Sequence, residues 1–308
     1  MNRMKRCTGI LPLLCILILF AEPLLPVRAE TVSCGDVCAD PDAEYIDMGT
    51  SAVEDWDSFC AFLSAFPHLR AVDMYATELT RERIEDLHAR FPQIRFGMTM
   101  RIRDHTLRTD ATAFSTLHTP DSATHGTKDL SLVRYCTNLY ALDLGHNDLT
   151  DLDFLYDLPE LRVLIVAMNR LTDITPIGSL KHLEYLEIFS NQVTDVSCLG
   201  GLPYLTDLNL TGNRVRDLTP LTRGGSLKRL WMRACDLRFS TEETHAAAEA
   251  VRTALPGCTV DEKHFSIDGD WRRHPHYEVI RRIFATGIYE PFADSPPENR
   301  PDQTQDRQ

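Results

Sequence analysis

The sequence predicts an α/β solenoid, in which short strands from successive coils pair into one parallel sheet. Three observations carry this reading. Leucine recurs with a period of 22, at Leu139, Leu161, Leu183, Leu205 and Leu227. Each of these leucines opens the same phrase: LYALDLGHNDLTD, LRVLIVAMNRLTD, LEYLEIFSNQVTD, LTDLNLTGNRVRD and LKRLWMRACDLRF. Within each phrase apolar residues alternate with others, as side chains do along a strand buried on one face. A single strand of this kind cannot bury its apolar row, so the coils must stack at about 4.8 Å.

The elements of a coil follow from the phrase. The leucines of L-x-x-L-x-L point inward and the intervening residues point out. Asn147, Asn169, Asn191 and Asn213 stand where the chain turns out of the strand. Their amides are suited to bond buried backbone groups of neighbouring coils, a structural ladder. The second half of each repeat is short and carries Pro and Gly, as in TPIGSLKHL and TPLTRGGSL. That composition predicts tight, 3₁₀-like convex segments in place of long helices. Asp151, Asp173, Asp195 and Asp217 precede those segments as turn caps.

The pattern L-x-x-L-x-L-x-x-N-x-L is the leucine-rich repeat signature, whose period ranges over about 20–29 residues. The array resembles the internalin-like, 22-residue class of secreted bacterial leucine-rich repeat proteins. The resemblance covers residues 129–239, about a third of the chain. It implies a curved solenoid that binds a protein or peptide on its concave face. No immunoglobulin-like segment follows the repeats and no LPxTG sorting signal is present, so anchoring and adhesion of the internalin type are not implied.

The flanking segments are read separately. Residues 1–29 have a basic start, a short apolar core and Ala29 before Glu30, the parts of a secretory signal peptide. An uncleaved membrane anchor is the runner-up. Removing residues 1–29 takes away four bases and one acid, which moves the formal charge from −13 to −16. So acidic a chain does not bind nucleic acid through bulk charge. Residues 30–128 are read as an N-terminal cap of degenerate, longer repeats. AEYIDM, LRAVDM and IRFGMTM are its strands, and two helical stretches each end in Phe-Pro. Residues 98–110 are read as an edge hairpin and 111–128 as a polar excursion. Residues 240–293 are read as a terminal coil and a C-terminal cap over it. Its helix opens with a capping box, Ser240 and Glu243, and Tyr277, Ile280, Ile283 and Phe284 form one helical face. Residues 294–308, rich in Pro, Asp and Gln, are read as disordered.

Seven cysteines follow residue 29. Repeat register makes Cys136, Cys198 and Cys235 small apolar substitutes, and pairing among Cys34, Cys38 and Cys60 stays open. His118 and His125 lie in the polar excursion. His264, Asp268, Asp270, His274 and His276 are the densest metal-competent group, but their spacing matches no zinc signature. No G-x-S-x-G, H-E-x-x-H or phosphate-cradling loop occurs. Catalytic residues, metal and cofactor are therefore all read as none. The outward strand positions remain. Val163, Ile165, Met168, Tyr185 and Phe189, with Glu187 among them, form an apolar patch; Arg229, Trp231 and Arg233 form a cationic-aromatic one. Such residue types mark binding surfaces. The leading reading is a secreted or cell-surface module that binds a protein or peptide on this face. The alternative is a secreted, hydrolase-like enzyme using the loop histidines. Homodimerisation, or a terminal segment folding back over the concave face, are further ways to bury the patch.

Overall fold

The structure, a computed structural model, describes residues 32–102, 105–116, 130–235, 240–263 and 270–301. The expected signal segment, His118, His125, His264 and Asp268 lie outside the described residues. The chain divides into two compact units, Met1–Arg101 and Ile102–Gln308.

In the first unit, β1 (Val32–Cys34) and β2 (Val37–Ala39) form an antiparallel hairpin in which Cys34 faces Val37 and Cys38 faces Ser33. Adjacent residues of a strand point to opposite sides. This register therefore sends the thiols of Cys34 and Cys38 to opposite faces of the hairpin. Next, β3 (Tyr45–Asp47), β4 (Ala71–Leu79) and β5 (Arg95–Ile102) run in parallel. Two helices make the crossovers, α1 (Trp56–Ser64) and α2 (Arg81–Arg90). Asp55 caps α1 by accepting the N–H groups of Asp57 and Ser58, and the helix buries Phe59, Cys60, Phe62 and Leu63. Both helices end short of a Phe-Pro pair, because proline disfavours helical geometry in the residue before it. Gly97 on β5 is a forced choice: a Cβ there would lie 2.2 Å from Asp73 Oδ1.

The second unit opens with β6 (His105–Arg108). A seven-stranded parallel sheet follows: β7 (Ala113–Ser115), β8 (Ala141–Asp143), β9 (Val163–Ile165), β10 (Tyr185–Glu187), β11 (Asp207–Asn209), β12 (Arg229–Trp231) and β13 (Thr259–Asp261). The pairing is in register with the repeat, so that Leu142, Leu164, Leu186, Leu208 and Leu230 form one buried row. Leu144, Val166, Ile188, Leu210 and Met232 form the next, all fully buried. The protein has a leucine-rich repeat fold. Its convex side is a series of 3₁₀ turns, Ser131–Tyr135, Asp153–Asp157, Thr175–Ser179, Ser197–Gly201 and Thr219–Thr222. Four are capped by the repeat aspartate, with Oδ1 of Asp151, Asp173, Asp195 and Asp217 accepting a backbone N–H at 2.7–2.9 Å.

The Asn column ties the coils together. Asn169 Oδ1 accepts the N–H of Asn147 and Leu149, while its amide donates to Leu144 O at 2.9 Å and Val166 O at 3.0 Å. Asn191 and Asn213 repeat the arrangement one and two coils on. Just before each Asn stands a left-handed residue: His146, Met168, Ser190 and Gly212, with φ between 53° and 70°. Position eight of the repeat is thus a turn position, which the sequence reading had placed with the outward strand residues.

Three further expectations are corrected. Residues 111–128 were expected to be a polar excursion, yet Ala113–Ser115 forms β7, with Phe114 opposite Leu142. Backbone pairing and one aromatic suffice for that strand, although its neighbours are polar. Residues 240–293 were expected to be a terminal coil with a cap over it; they contain α3 (Thr241–Ala254), opened by the capping box of Ser240 and Glu243, and then β13. The helix α4 (Pro275–Thr286), however, contacts β7 and β8 as well as the last coils, so it crosses the sheet and is no simple end cap. Finally, residues 294–301 were expected to be disordered, but Ser295 and Asn299 are buried. Their order comes from hydrogen bonds to buried polar partners, which an apolar pattern does not register.

Candidate functional site

The third, fifth and seventh repeat positions send side chains off the concave face. Val163, Ile165, Tyr185, Phe189 and Trp231 there form one buried cluster with Trp271, Ile280, Ile283, Tyr289 and Phe292 of the C-terminal segment. The segment goes out as a helix and comes back through two short turns, at Phe292–Ser295 and Pro297–Asn299. Trp271 packs on Phe189 at 6.0 Å between ring centres. Helix α4 begins beside β11 and β12, where its N-terminal His276 lies 3.1 Å from Asp207. It ends at Gly287, a left-handed C-cap whose carbonyl accepts the Thr112 hydroxyl beside β7. On the return, Tyr289 meets Tyr140 at 5.9 Å and Phe292 meets Tyr185 at 6.4 Å. Phe292 also stacks on His276 at 4.4 Å. Each large apolar side chain so buried is worth roughly 1.5–3 kcal/mol.

Two polar clusters fix the register of this cover. In the first, Arg229 of β12 pairs with Asp207 of β11 through Nε and Nη2, and Nη2 also reaches Asp294 Oδ2 at 3.1 Å. His276 stands between the acids, its Nδ1 3.1 Å from Asp207 and its Nε2 3.2 Å from Asp294. Burial raises the Asp207 pKa, but hydrogen bonds from Arg229 and His276 outweigh it and bring it down to about 2. In the second, the buried Glu184 carboxylate accepts Tyr289 Oη at 2.6 Å, Asn299 Nδ2 at 2.8 Å and the Ser295 hydroxyl. Arg162, 2% exposed, donates to Asn299 O at 3.0 Å and lies between the rings of Tyr140 and Tyr289. Asn299 also bonds His182 through Oδ1 and Nδ2.

A third buried acid, Glu187, is the last residue of β10. Burial lifts Glu187 to about 8, Asp143 pushes the same way, and Arg272 and the Tyr185 hydroxyl oppose.

The candidate residues thus part company. Val163, Ile165, Tyr185, Glu187, Phe189 and Trp231 are brought together under the C-terminal segment. Arg229 is held in the ion cluster, and Met168 and Arg233 are exposed at the turn beyond the strands. The sequence reading missed the second repeat position: Tyr140, Arg162, Glu184, Thr206 and Lys228. The charges in that column were visible beside the repeat leucine; their contacts, from Tyr140, Arg162, Glu184 and Lys228 to Tyr289, Asp294, Ser295 and Asn299, were not.

Of the metal-competent group, His274 and His276 converge with Asp207, their ligand atoms within 4.8 Å of one another. A cation does not suit this donor set. Both Asp207 oxygens already accept from Arg229, whose guanidinium also lies 3.2 Å from His276 Nδ1. His274 Nδ1 accepts the His276 N–H as a helix cap.

A family model described as leucine-rich repeats in two copies matches residues 137–179, 159–197 and 181–223. No curated protein matches the chain. Among solved structures, it is similar to an internalin from Listeria monocytogenes at 20% identity and TM-score 0.33, covering 65% of this chain and 49% of that one. It is similar to internalin C2 of the same organism at 18% identity and TM-score 0.34, covering 64% and 86%. A leucine-rich repeat protein of Leptospira interrogans gives 14% identity and TM-score 0.36, covering 69% and 58%. The chain therefore spans between about half and nine-tenths of the length of these structures.

Proposed function

We propose that the protein is a secreted or cell-surface binding module, not an enzyme, that recognises a protein or peptide with the concave face of its repeat array. One observation carries the reading. The face already grips a polypeptide, residues 271–299 of its own chain, through side chains from successive strands. Its apolar floor of Val163, Ile165, Tyr185, Phe189 and Trp231 supplies affinity, and the Arg229 and Glu184 clusters supply register. An external partner uses the same floor by displacing part of the cover. Secretion rests on the signal-like residues 1–29. Among the described residues, no helix is long and apolar enough to cross a membrane.

The test is a capture experiment from secreted and surface extracts. The bait is the full chain with Tyr289→Ala/Phe292→Ala, which loosens the cover, beside the wild type. A partner captured more strongly by the loosened bait supports the concave face. Equal capture by both baits moves the interaction to another surface.

A further inference from the structure

We propose that the groove filled by residues 289–299 is a recognition site for a peptide bearing a tyrosine, a phenylalanine three residues on and an Asp-Ser pair two residues beyond, with a turn between phenylalanine and serine. The C-terminal return segment is its tethered occupant. This deepens the binding reading and rests on it.

The return segment differs from a plain hydrophobic cap in how it is held. Between Gly287 and Asn299 the structure contains a turn at Phe292–Ser295, closed by the Ser295 N–H on the Phe292 carbonyl at 3.0 Å, and one short helical turn, Pro297–Asn299. Apart from these turns the chain forms no regular element, and its side chains are read one by one. The Tyr289 ring packs against Tyr140 and Arg162, and its hydroxyl donates to Glu184. Phe292 enters a slot between Tyr185 and His276. Asp294 meets the Arg229 guanidinium and the Lys228 ammonium, the latter at 3.4 Å. Ser295 returns to Glu184, and its hydroxyl also accepts the N–H of Phe292. Asn299 closes the groove on His182.

The receptors belong to the array. Glu184 and Arg162 are buried and charged, and a buried charge without its partner is costly. With Arg229 and Lys228 they are set for a ligand that brings a hydroxyl, a carboxylate, a second hydroxyl and an amide in this order. Occupancy is thus a matter of competition. A tethered segment acts at an effective concentration of about millimolar, so a free peptide binds when it outbids the tether or when the tether is weakened. Helix α4 keeps its contacts with β7 and β8 during the exchange and gives up those that it makes with the return segment, His276 with Phe292 and Asp294 and Arg282 with Glu290. His276 then remains as one wall of the Phe slot.

The experiment uses a fluorescently labelled peptide of residues 287–301, GIYEPFADSPPENRP, read by anisotropy against the full chain. The expected result is that the Tyr289→Ala/Phe292→Ala chain binds the peptide at least tenfold more tightly than the wild type. A peptide carrying the same two substitutions, or Asp294→Asn, loses at least tenfold. The proposal is overturned if the loosened chain melts cooperatively yet binds native and scrambled peptide alike. Dimerisation of that chain which excludes the peptide also overturns it, in favour of a second copy. If the loosened chain does not melt cooperatively, Asp294→Asn/Asn299→Ala replaces it. Collapse of both variants overturns the proposal by making the segment part of the core. Peptide binding with no partner captured from extracts sinks the broader reading alone; a captured partner that the peptide does not displace sinks this one alone.

Discussion

At the residue scale, the repeat imposes backbone geometry as well as side-chain identity. Met168 is exposed and left-handed, with φ 54°, while Gly212 occupies the same repeat position at φ 70°. The left-handed region costs a non-glycine residue roughly 1–2 kcal/mol, partly offset by the greater unfolded-state freedom of glycine. Met168→Gly is therefore expected to stabilise the array and Gly212→Ala to destabilise it, each by up to about 1 kcal/mol in urea denaturation. The buried acids make a prediction of opposite signs. Glu187 is raised from 4.5 to about 8, so folding favours its protonated form. Its contribution is present below pH 4.5 and is lost as pH rises towards 8. Asp207 is lowered from 3.8 to about 2, so its contribution is present above 3.8 and is lost as pH falls through 2. Glu187→Gln is expected to flatten the fall in urea midpoint between about pH 5 and pH 8. A wild-type midpoint that rises over that range contradicts the assignment.

At the element scale, the strands, the Asn ladder and the 3₁₀ turns were legible because a period of 22 phases them independently of tertiary context. β7 was hidden because only Phe114 marks it among Thr and Ser. The return segment was hidden for a different reason. Its order depends on Glu184, Arg162 and Arg229, which lie roughly 60–140 residues away in sequence and which no local pattern links to Tyr289, Asp294 or Asn299. The outward apolar residues were legible as a surface needing a partner, though their occupant was not. The ion cluster gives the element-level prediction. A double-mutant cycle of Arg229→Ala and Asp294→Ala is expected to show coupling of about 1–3 kcal/mol, because the pair is partly buried and joins the sheet to the cover. Additive effects contradict a direct link between the two.

At the scale of the whole molecule, the second unit is a repeat array whose concave face holds the chain's own C-terminal residues. A solenoid normally leaves that face open and buries its core only between coils. Here the sheet has a second apolar layer on its outer side, so the face that suits recognition is also the face that the chain covers. Hydroxyl-radical footprinting of the intact wild-type protein tests this most directly. Tyr185, 3% exposed on the concave face, is compared with Tyr156, 56% exposed on the convex side. The covered face predicts that Tyr185 is oxidised many-fold more slowly than Tyr156; equal rates for the two would contradict it.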